Sequence, residues 1–425
     1  MPRLKLLTSI VVLFVLFYLL LISSVFASSE MWSQTYGGSW GEGAYSLVKT
    51  LDGGFALLGG TGSFDAGNGD FWLVKTDKDG NIEWNQTYGG YGEDTGYSLV
   101  QTRDGGYALS GSTLNFGAES HDMWLIKTDA NGNVEWNQTY GGPGWEKAYS
   151  LIETSDGGFA MAGETYSNYL GNFLLVKTDA NGNMEWNQTY GGALREIAYS
   201  LVETSDGGYA LTGYTWSFSS NGKEDFWLVK TDTRGNLQWY HSYGGAGDDV
   251  AYSLVETFDG GYAIAGQTNS FGDKDVDVLL VKTNAYGNME WNRTYGGADF
   301  EGAYSLVQLS DGGFALAGYS YMFAFGDRFN EGLLVKTDFD GNLEWSQTYG
   351  NNWGNSFESL VESSGGFVLA GNSGSYNKES EFWLIKVNES GYIPEFPSWT
   401  ILPLFLVLAP IVVVIRNKIS KNGVK

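Results

Sequence analysis

The segment Glu83-Trp84-Asn85-Gln86-Thr87-Tyr88-Gly89-Gly90 determines the architecture, because near copies of it recur along most of the chain. The tryptophans of successive copies lie 52, 52, 50, 53, 52 and 54 residues apart. A repeat this regular indicates one structural unit of about 52 residues that occurs seven times. The seven tryptophans are Trp32, Trp84, Trp136, Trp186, Trp239, Trp291 and Trp345.

Two other motifs share this period. Asp-Gly-Gly followed by Phe or Tyr begins at Asp52, Asp104, Asp156, Asp206, Asp259 and Asp311, and Ser364-Gly365-Gly366 is the seventh copy. An apolar run that ends in lysine recurs at Lys75, Lys127, Lys177, Lys230, Lys282, Lys336 and Lys386. Each unit is therefore built from the same elements in the same order.

Each unit is predicted to contain four short strands. In the second copy they cover residues 96–102, 107–112, 123–127 and 134–140. Short runs rich in Val, Ile, Tyr and Trp, bounded by Gly, Asp and Asn, favour strands over helices. The Asp-Gly-Gly motif predicts a tight hairpin between the first two strands, and an Asp-x-x-Gly-Asn turn joins the last two.

The turn from Asp77 to Asn81 raises the question of a calcium loop. An EF-hand loop needs glycine at its sixth position, where this chain has Ile82, so a structural turn is favoured. The same hairpin places a lysine across from a glutamate, which predicts cross-strand ion pairs. The pairs are Lys75–Glu83, Lys127–Glu135, Lys177–Glu185, Lys282–Glu290 and Lys336–Glu344.

The points within the repeat at which the pattern starts and stops predict a closed ring. The first repeat element is a lone fourth strand at residues 32–38, and the last is a third strand at residues 382–386 with no fourth strand after it. Pairing the two removes two exposed sheet edges. The predicted fold is all-β, a seven-bladed β-propeller of four-stranded blades in which the N-terminal strand completes the last blade.

Over residues 31–391 the chain resembles a family of secreted β-propeller repeat proteins from archaea and bacteria. The shared motifs are Trp-x-x-x-Tyr-Gly-Gly, Tyr-Ser-Leu-Val, Asp-Gly-Gly-Tyr and Lys-Thr-Asp-x-x-Gly-Asn. The resemblance implies the fold and an extracellular location, but no reaction. The seventh unit departs from the pattern, with Asn351 in place of the second glycine and Glu358 in place of the usual tyrosine.

Residues 1–27 have the layout of a secretory signal peptide, with Arg3 and Lys5 before an apolar run and a cleavage site after Ala27. An uncleaved N-terminal anchor is the alternative for this long apolar run. Either version exports residues 28–392, the propeller.

The C-terminal part predicts attachment to the membrane. Residues 393–398 contain Pro394-Glu395-Phe396-Pro397, which resembles the sorting signals of archaeal proteins handled by archaeosortase-type enzymes. Residues 399–415 give about 25 Å of helix, enough for a transmembrane span, and residues 416–425 form a basic cytoplasmic tail. The span is either retained as an anchor or removed and replaced by a lipid.

Composition excludes some classes of function. The formal net charge is −25, which argues against nucleic acid as a partner. The chain has no cysteine, so an exported domain must be stabilised by its core alone, and no thiol nucleophile is available. No cofactor is predicted, calcium is left open, and a monomer is expected.

One acidic position recurs shortly before each predicted first strand, with Asn355 in the seventh unit. If these side chains converge at the mouth of a central channel, they would suit a cation or an amine. The alternative is that each one accepts hydrogen bonds from backbone amides of its own or the next blade and so stabilises the ring. The residues are Glu42, Asp94, Glu146, Glu196, Asp249 and Glu301.

Aromatic residues near the same mouth form a second candidate ligand site. Trp40, Trp145 and Trp353 precede first strands and would suit stacking on sugars or peptide side chains, although packing between blades is the alternative. Candidate glycosylation sites are Asn85, Asn137, Asn187, Asn292 and Asn388.

These features predict a cell-surface, non-catalytic propeller for binding or adhesion through its variable loops, with a glycan, a peptide or an envelope component as ligand. Only His121 and His241 are present, without metal spacing, and no nucleophile elbow occurs. Two alternatives stay open: a carboxylate-dependent enzyme acting on extracellular polysaccharide, and a purely structural envelope protein.

Overall fold

The computed structural model describes residues 31–392, apart from residues 65–66, 118–119, 168–169, 220–221, 273–274, 298–299, 325–326, 351–353 and 376–377. The predicted signal peptide, sorting motif, transmembrane helix and basic tail lie outside the described residues. Within this described part, no helix is long and apolar enough to cross a bilayer.

The described residues form 28 strands in seven antiparallel sheets of four. Blade 7 contains β1 (Trp32–Tyr36), β26 (Ser356–Ser363), β27 (Gly366–Ser375) and β28 (Lys378–Asn388). Blades 1 to 3 contain β2 (Glu42–Lys49), β3 (Phe55–Thr61), β4 (Asp70–Thr76) and β5 (Ile82–Tyr88); β6 (Asp94–Gln101), β7 (Tyr107–Thr113), β8 (Asp122–Thr128) and β9 (Val134–Tyr140); and β10 (Trp145–Glu153), β11 (Phe159–Ser167), β12 (Leu170–Thr178) and β13 (Met184–Tyr190).

Blades 4 to 6 contain β14 (Glu196–Glu203), β15 (Tyr209–Thr215), β16 (Asp225–Thr231) and β17 (Leu237–Tyr243); β18 (Asp249–Glu256), β19 (Tyr262–Thr268), β20 (Asp277–Thr283) and β21 (Met289–Tyr295); and β22 (Phe300–Gln308), β23 (Phe314–Ala324), β24 (Asp327–Thr337) and β25 (Leu343–Tyr349). The predicted all-β propeller with seven four-stranded blades is confirmed.

The predicted closure of the ring is also confirmed. Blade 7 has the order β1-β28-β27-β26, and β1 pairs antiparallel with β28 from Trp32 opposite Lys386 to Tyr36 opposite Phe382. Strand ends differ from the prediction: β6 begins at Asp94 rather than at residue 96, and β28 extends over Lys378–Asn388. The polar end residues join the ladder through their backbone, which a hydrophobic pattern does not reveal.

The connections lie on two faces of the ring. On the tight face, short turns join first to second strands and third to fourth strands. On the loop face, the second-to-third and fourth-to-first connections meet, as shown by the amide of Asp94 donating to the carbonyl of Gly69 at 2.9 Å.

The recurring Trp-x-x-x-Tyr motif joins neighbouring blades at their outer edges. The Tyr88 hydroxyl of blade 1 donates to the carbonyl of Gly132 in blade 2 at 2.7 Å. A Cβ on Gly132 would lie 2.8 Å from the Trp84 ring, and its φ of +79° also favours glycine. The same bond links every pair of neighbouring blades: Tyr36–Gly80, Tyr140–Gly182, Tyr190–Gly235, Tyr243–Gly287, Tyr295–Gly341 and Tyr349–Gly391.

A second ring of bonds joins the blades near the axis. The amide of Leu99 in β6 donates to the Ser46 hydroxyl in β2 at 3.2 Å, and equivalent bonds join the first strands of all other neighbouring blades. Leu47 closes this inner ring by donating to Ser359 of blade 7 at 3.1 Å. The Ser and Leu of the Tyr-Ser-Leu-Val motif therefore position the seven first strands around a central channel.

Candidate binding site at the loop face and central channel

The recurring carboxylates lie within or at the start of the first strands, rather than before them as the sequence analysis placed them. Each is at most 7% exposed. Glu42 opens β2; its Oε2 accepts the amide of Gly38 at 3.1 Å, and its Oε1 accepts the Thr61 hydroxyl at 3.2 Å and the amide of Ser63 at 3.1 Å. This carboxylate therefore ties the two loop-face connections of its own blade together.

The other blades repeat this arrangement. Asp94, Glu146, Glu196, Asp249 and Glu301 each accept the amide four residues earlier, at Gly90, Gly142, Gly192, Gly245 and Gly297. Each also binds an amide or hydroxyl from its own second strand or the following loop, through Asn115, Thr165, Thr215, Thr268 and Ser320. These bonds favour the scaffold interpretation over convergence on the axis.

Metal binding at these carboxylates stays a prediction. Among the described residues, no group of three or more His, Asp or Glu side chains has the arrangement needed to hold a metal ion. Burial raises the pKa of Asp94, and hydrogen bonds from Thr113, Gly90, Asn115 and Leu114 act against that shift.

Exposed aromatic side chains stand on the loop face of three consecutive blades. Trp40, Tyr91 and Trp145 precede or begin the first strands of blades 1, 2 and 3, and are 67%, 85% and 56% exposed. The Trp145 ring packs edge-on against His121, with centroids 5.7 Å apart. Trp353, the third predicted aromatic, lies outside the described residues.

A ring of tyrosines lines the channel, which the sequence analysis did not predict. Each first strand has a β-bulge, as between Ala44 and Ser46, and in blades 1 to 6 the unpaired residue is the tyrosine of Tyr-Ser-Leu-Val. In ring order these are Tyr45, Tyr97, Tyr149, Tyr199, Tyr252 and Tyr304, and neighbouring ring centroids are 5.0–5.4 Å apart.

Glu358 occupies the seventh position of this ring. It is the bulge residue between Phe357 and Ser359. Its Oε1 accepts the Ser356 hydroxyl at 2.8 Å and the Asn372 amide nitrogen at 3.3 Å. Burial raises the pKa of Glu358 to about 7, and these two hydrogen bonds only partly offset that effect.

A cleft of about 430 Å³ opens on the loop face and is lined by Asn372, which donates to Glu358. Tyr45, Asn372 and Glu93 help to line it, together with Gly43 and Gly60. Gly60 has open space where a Cβ would stand. At the equivalent position of the second strand, other blades have Ser112, Glu164, Tyr214, Gln267, Tyr319 and Asn372.

The opposite side of the channel mouth is filled. Ile197, Tyr214 and Val250 form a buried apolar cluster against the channel tyrosines. The mouth of the channel is therefore asymmetric. It is open at blade 1, where Gly43 pairs with Gly60. The sequence offered one signal for this site, the replacement of a repeated tyrosine by Glu358, but not the direction in which the side chain points.

The buried lysines on the tight face are fully engaged. Lys75 pairs with Glu83 at 2.7 Å as predicted, and also with Asp52 of the Asp-Gly-Gly turn at 2.8 Å. The other four predicted lysine–glutamate pairs are also present. The Asp77 carboxylate accepts the amides of Asp79 and Asn81, which confirms the structural turn.

Several solved structures align with this chain at low sequence identity, and the two with a TM-score above 0.5 share its fold. An ulvan lyase, a polysaccharide lyase, matches with a TM-score of 0.51 and 9% identity over 84% of this chain and 96% of its own. A puromycin hydrolase matches with a TM-score of 0.51 and 11% identity, over 78% of this chain and 50% of its own. Sqt1 from Chaetomium thermophilum matches with a TM-score of 0.47 and 10% identity, over 84% of this chain and 100% of its own.

At these identities the likeness establishes the β-propeller fold alone. No protein-family model matches the sequence, and no curated protein matches it.

Proposed function

We propose that this protein is an exported, surface-attached propeller that binds an extracellular glycan or protein through its loop face, without catalysing a reaction. The observation that carries the proposal is the row of exposed aromatic side chains on three consecutive blades, Trp40, Tyr91 and Trp145. Exposed aromatic rings are costly to leave in water and are typical of surfaces that stack on sugars or peptides.

The engagement of the repeated polar residues supports this proposal. The recurring loop-face carboxylates bind donors of their own blade, and the tight-face lysines of blades 1 to 6 are paired with carboxylates. Ligand binding is therefore expected at residues that differ among the blades. These residues lie in loops that a rigid scaffold holds in place.

The proposal of surface display is based on the N-terminal and C-terminal segments of the sequence. The proposed signal peptide would export the ring, and residues 393–425 would attach it through a membrane span or through a lipid added after cleavage at the Pro394–Pro397 motif. The exported ring is proposed to be a glycosylated monomer.

A binding screen tests the proposal. The full-length chain, purified in detergent, would be applied to arrays of glycans and peptides. Trp40→Ala, Tyr91→Ala and Trp145→Ala are expected to abolish or weaken each specific signal. Tyr286→Ala is the matched control, because Tyr286 is 73% exposed but lies in a turn of the tight face.

Two results would contradict the proposal. The loop-face variants could bind as well as the parent, which would remove the loop face as the site. Alternatively, an array polysaccharide could be shortened on incubation, which would favour the enzyme. The fold shared with an ulvan lyase does not choose between the two.

A further inference from the structure

We propose that the loop-face end of the central channel is a binding site for an organic ammonium cation, which pairs with Glu358 beside the six channel tyrosines. The site is separate from the exposed aromatic row, and the inference does not depend on surface display or on the loop-face ligand. Four features support it: an uncompensated charge, the surrounding rings, the access route and the break in the repeat.

The negative charge of Glu358 has no counter-charge in the described part of the chain. Its hydrogen bonds come from the neutral side chains of Ser356 and Asn372. Among the described residues, no lysine or arginine forms an ion pair with it. Glu358 is half-buried, and a carboxylate partly withdrawn from water is costly to keep charged unless it is paired, so a cationic ligand would supply a partner.

The surroundings of Glu358 favour an organic cation over a metal ion. Calcium takes six to eight oxygen ligands, whereas Glu358 stands among aromatic rings. Positions spaced by about 5.2 Å around a sevenfold ring lie about 6 Å from the axis, which is the outer limit of the distance between a cation and an aromatic ring that attracts it. Glu358 also raises the pKa values of Tyr45 and Tyr304, after the larger effect of burial, in agreement with its place at the seventh bulge of the same ring.

The cleft beside Gly43 and Gly60 provides access from the loop face. Tyr45 and Asn372 line this cleft, and Asn372 also donates to Glu358 at 3.3 Å. Glu93 and Asp94 also line the cleft, so its local charge suits a cation. The cleft volume of about 430 Å³ leaves room for a small ammonium head group with a short alkyl stem.

The same features are where the sevenfold pattern breaks. Six units have tyrosine at the bulge and only the seventh has a carboxylate, while only the first has glycine at the position of Gly60. A scaffold role would be served by the repeated residue in every blade. The two departures lie in neighbouring blades, beside one opening.

Calorimetric titration of the full-length chain in detergent tests the inference. Choline and butylammonium are the cationic probes, and the neutral isostere of choline, in which carbon replaces nitrogen, is the reference ligand. Both cations are expected to bind, and the neutral isostere is expected to bind about tenfold or more weakly. Glu358→Gln should weaken cation binding by about tenfold or more without changing the affinity for the neutral isostere.

Further variants separate loss of binding from loss of folding. Glu358→Tyr restores the residue of the other six blades and should fold but not bind the cations. Gly60→Gln places in blade 1 the side chain that blade 5 has at Gln267, and should block the cleft. Glu362→Gln is the control, because Glu362 lies in the same strand but binds Ser310 on the tight face.

The inference is overturned if neither cation binds, if the neutral isostere binds as tightly as choline, or if Glu358→Gln leaves the affinity for the cations unchanged. Saturable calcium binding that Glu358→Gln abolishes, without choline binding, would assign the site to a metal instead. Loop-face binding in the array screen would be unaffected by any of these outcomes, so the two proposals fail separately.

Discussion

The hydroxyl of Tyr36 donates a hydrogen bond to the carbonyl oxygen of Gly80 at 2.6 Å, and so joins the first strand of the chain to the turn of blade 1. Tyr36 belongs to β1, which completes blade 7. The bond is buried, and burial raises the pKa of Tyr36, so this hydroxyl stays protonated and able to donate. The junction between the last blade and the first therefore has the same chemistry as the six others.

Deleting residues 28–40 is expected to cause a large loss of stability or aggregation. The deletion removes β1, which exposes the edge of β28, and an unpaired strand edge is a template for association. Size-exclusion chromatography and thermal unfolding measure both effects. A truncated protein that stays monomeric and melts at the parent temperature would show that β1 does not close the ring.

Tyr36→Phe is expected to destabilise the protein by about 1–3 kcal/mol, because it leaves the buried carbonyl of Gly80 without its donor. Tyr140→Phe should cost a similar amount, since Tyr140 makes the same bond to Gly182 at 2.6 Å. Tyr240→Phe is the control, because Tyr240 is 42% exposed. Urea unfolding measures the change in the free energy of unfolding for each of the three variants. A loss of stability in Tyr36→Phe no larger than in Tyr240→Phe would contradict the equivalence of the junctions.

Much of the fold could be predicted from the sequence because the repeat supplies seven independent copies of each local signal. The spare strand at Trp32 and the missing strand after Gly391 were enough to predict closure. The second partner of Lys75 could not be predicted in the same way. Asp52 lies 23 residues before Lys75 and approaches it only when the sheet forms.

The channel site illustrates what a hydrophobic pattern cannot reveal. Tyr45 follows Ala44 and precedes Ser46 without a partner in the ladder. A bulge adds one residue to a strand and changes which side chains share a face. Alternation read from the sequence therefore does not show that Tyr45 and Glu358 point into the same channel.

Glu358→Gln is expected to stabilise the unliganded protein at neutral pH. Burial raises the pKa of Glu358 from 4.5 to about 7 in the folded protein. The folded state therefore holds this proton more tightly than the unfolded state, and folding is favoured at low pH. The free energy of unfolding of the wild type should fall relative to that of the variant as the pH rises from 4.5 to 7. Above pH 7 the difference between the two free energies should be constant. Each unit of raised pKa corresponds to about 1.4 kcal/mol.

Thermal unfolding of both proteins across this pH range provides the measurement. The side chains that act on Glu358, or are acted on by it, are Ser356, Asn372, Tyr45, Tyr252, Tyr304 and Tyr319. A difference that does not vary with pH would show that Glu358 is not the titrating group.

Calcium is expected to leave the melting temperature unchanged, because the recurring carboxylates already accept hydrogen bonds from their own blades. Asp94→Ala and Asp249→Ala should each cost about 0.5–2 kcal/mol and add in the double variant. The titration compares the double variant with the wild type. Calcium-dependent stabilisation of the wild type alone, about 2.7 kcal/mol at a hundredfold excess over Kd, would instead show an axial metal.

Glycans are expected on Asn85, Asn137 and Asn187 in protein from the native source. These three side chains are exposed on the outer strands, whereas Asn292 and Asn388 are half-buried. The Asn85 Oδ1 accepts the indole N–H of Trp72 at 3.2 Å, and a sugar attached to the side-chain nitrogen leaves that oxygen free to accept. Mass spectrometry of peptides is the measurement, and finding Asn85, Asn137 and Asn187 all unmodified would contradict the prediction.

The pairing of β28 on both of its edges has a mechanical consequence. This strand is hydrogen-bonded to β27 on one side and to β1 on the other. A pull on the chain after Gly391, directed along the strand, would load both ladders in shear, so their bonds would have to break together rather than one after another. The resistance of the ring to such a force would be governed by the height of its unfolding barrier, and the force would enter blade 7 through a strand that is paired on both edges.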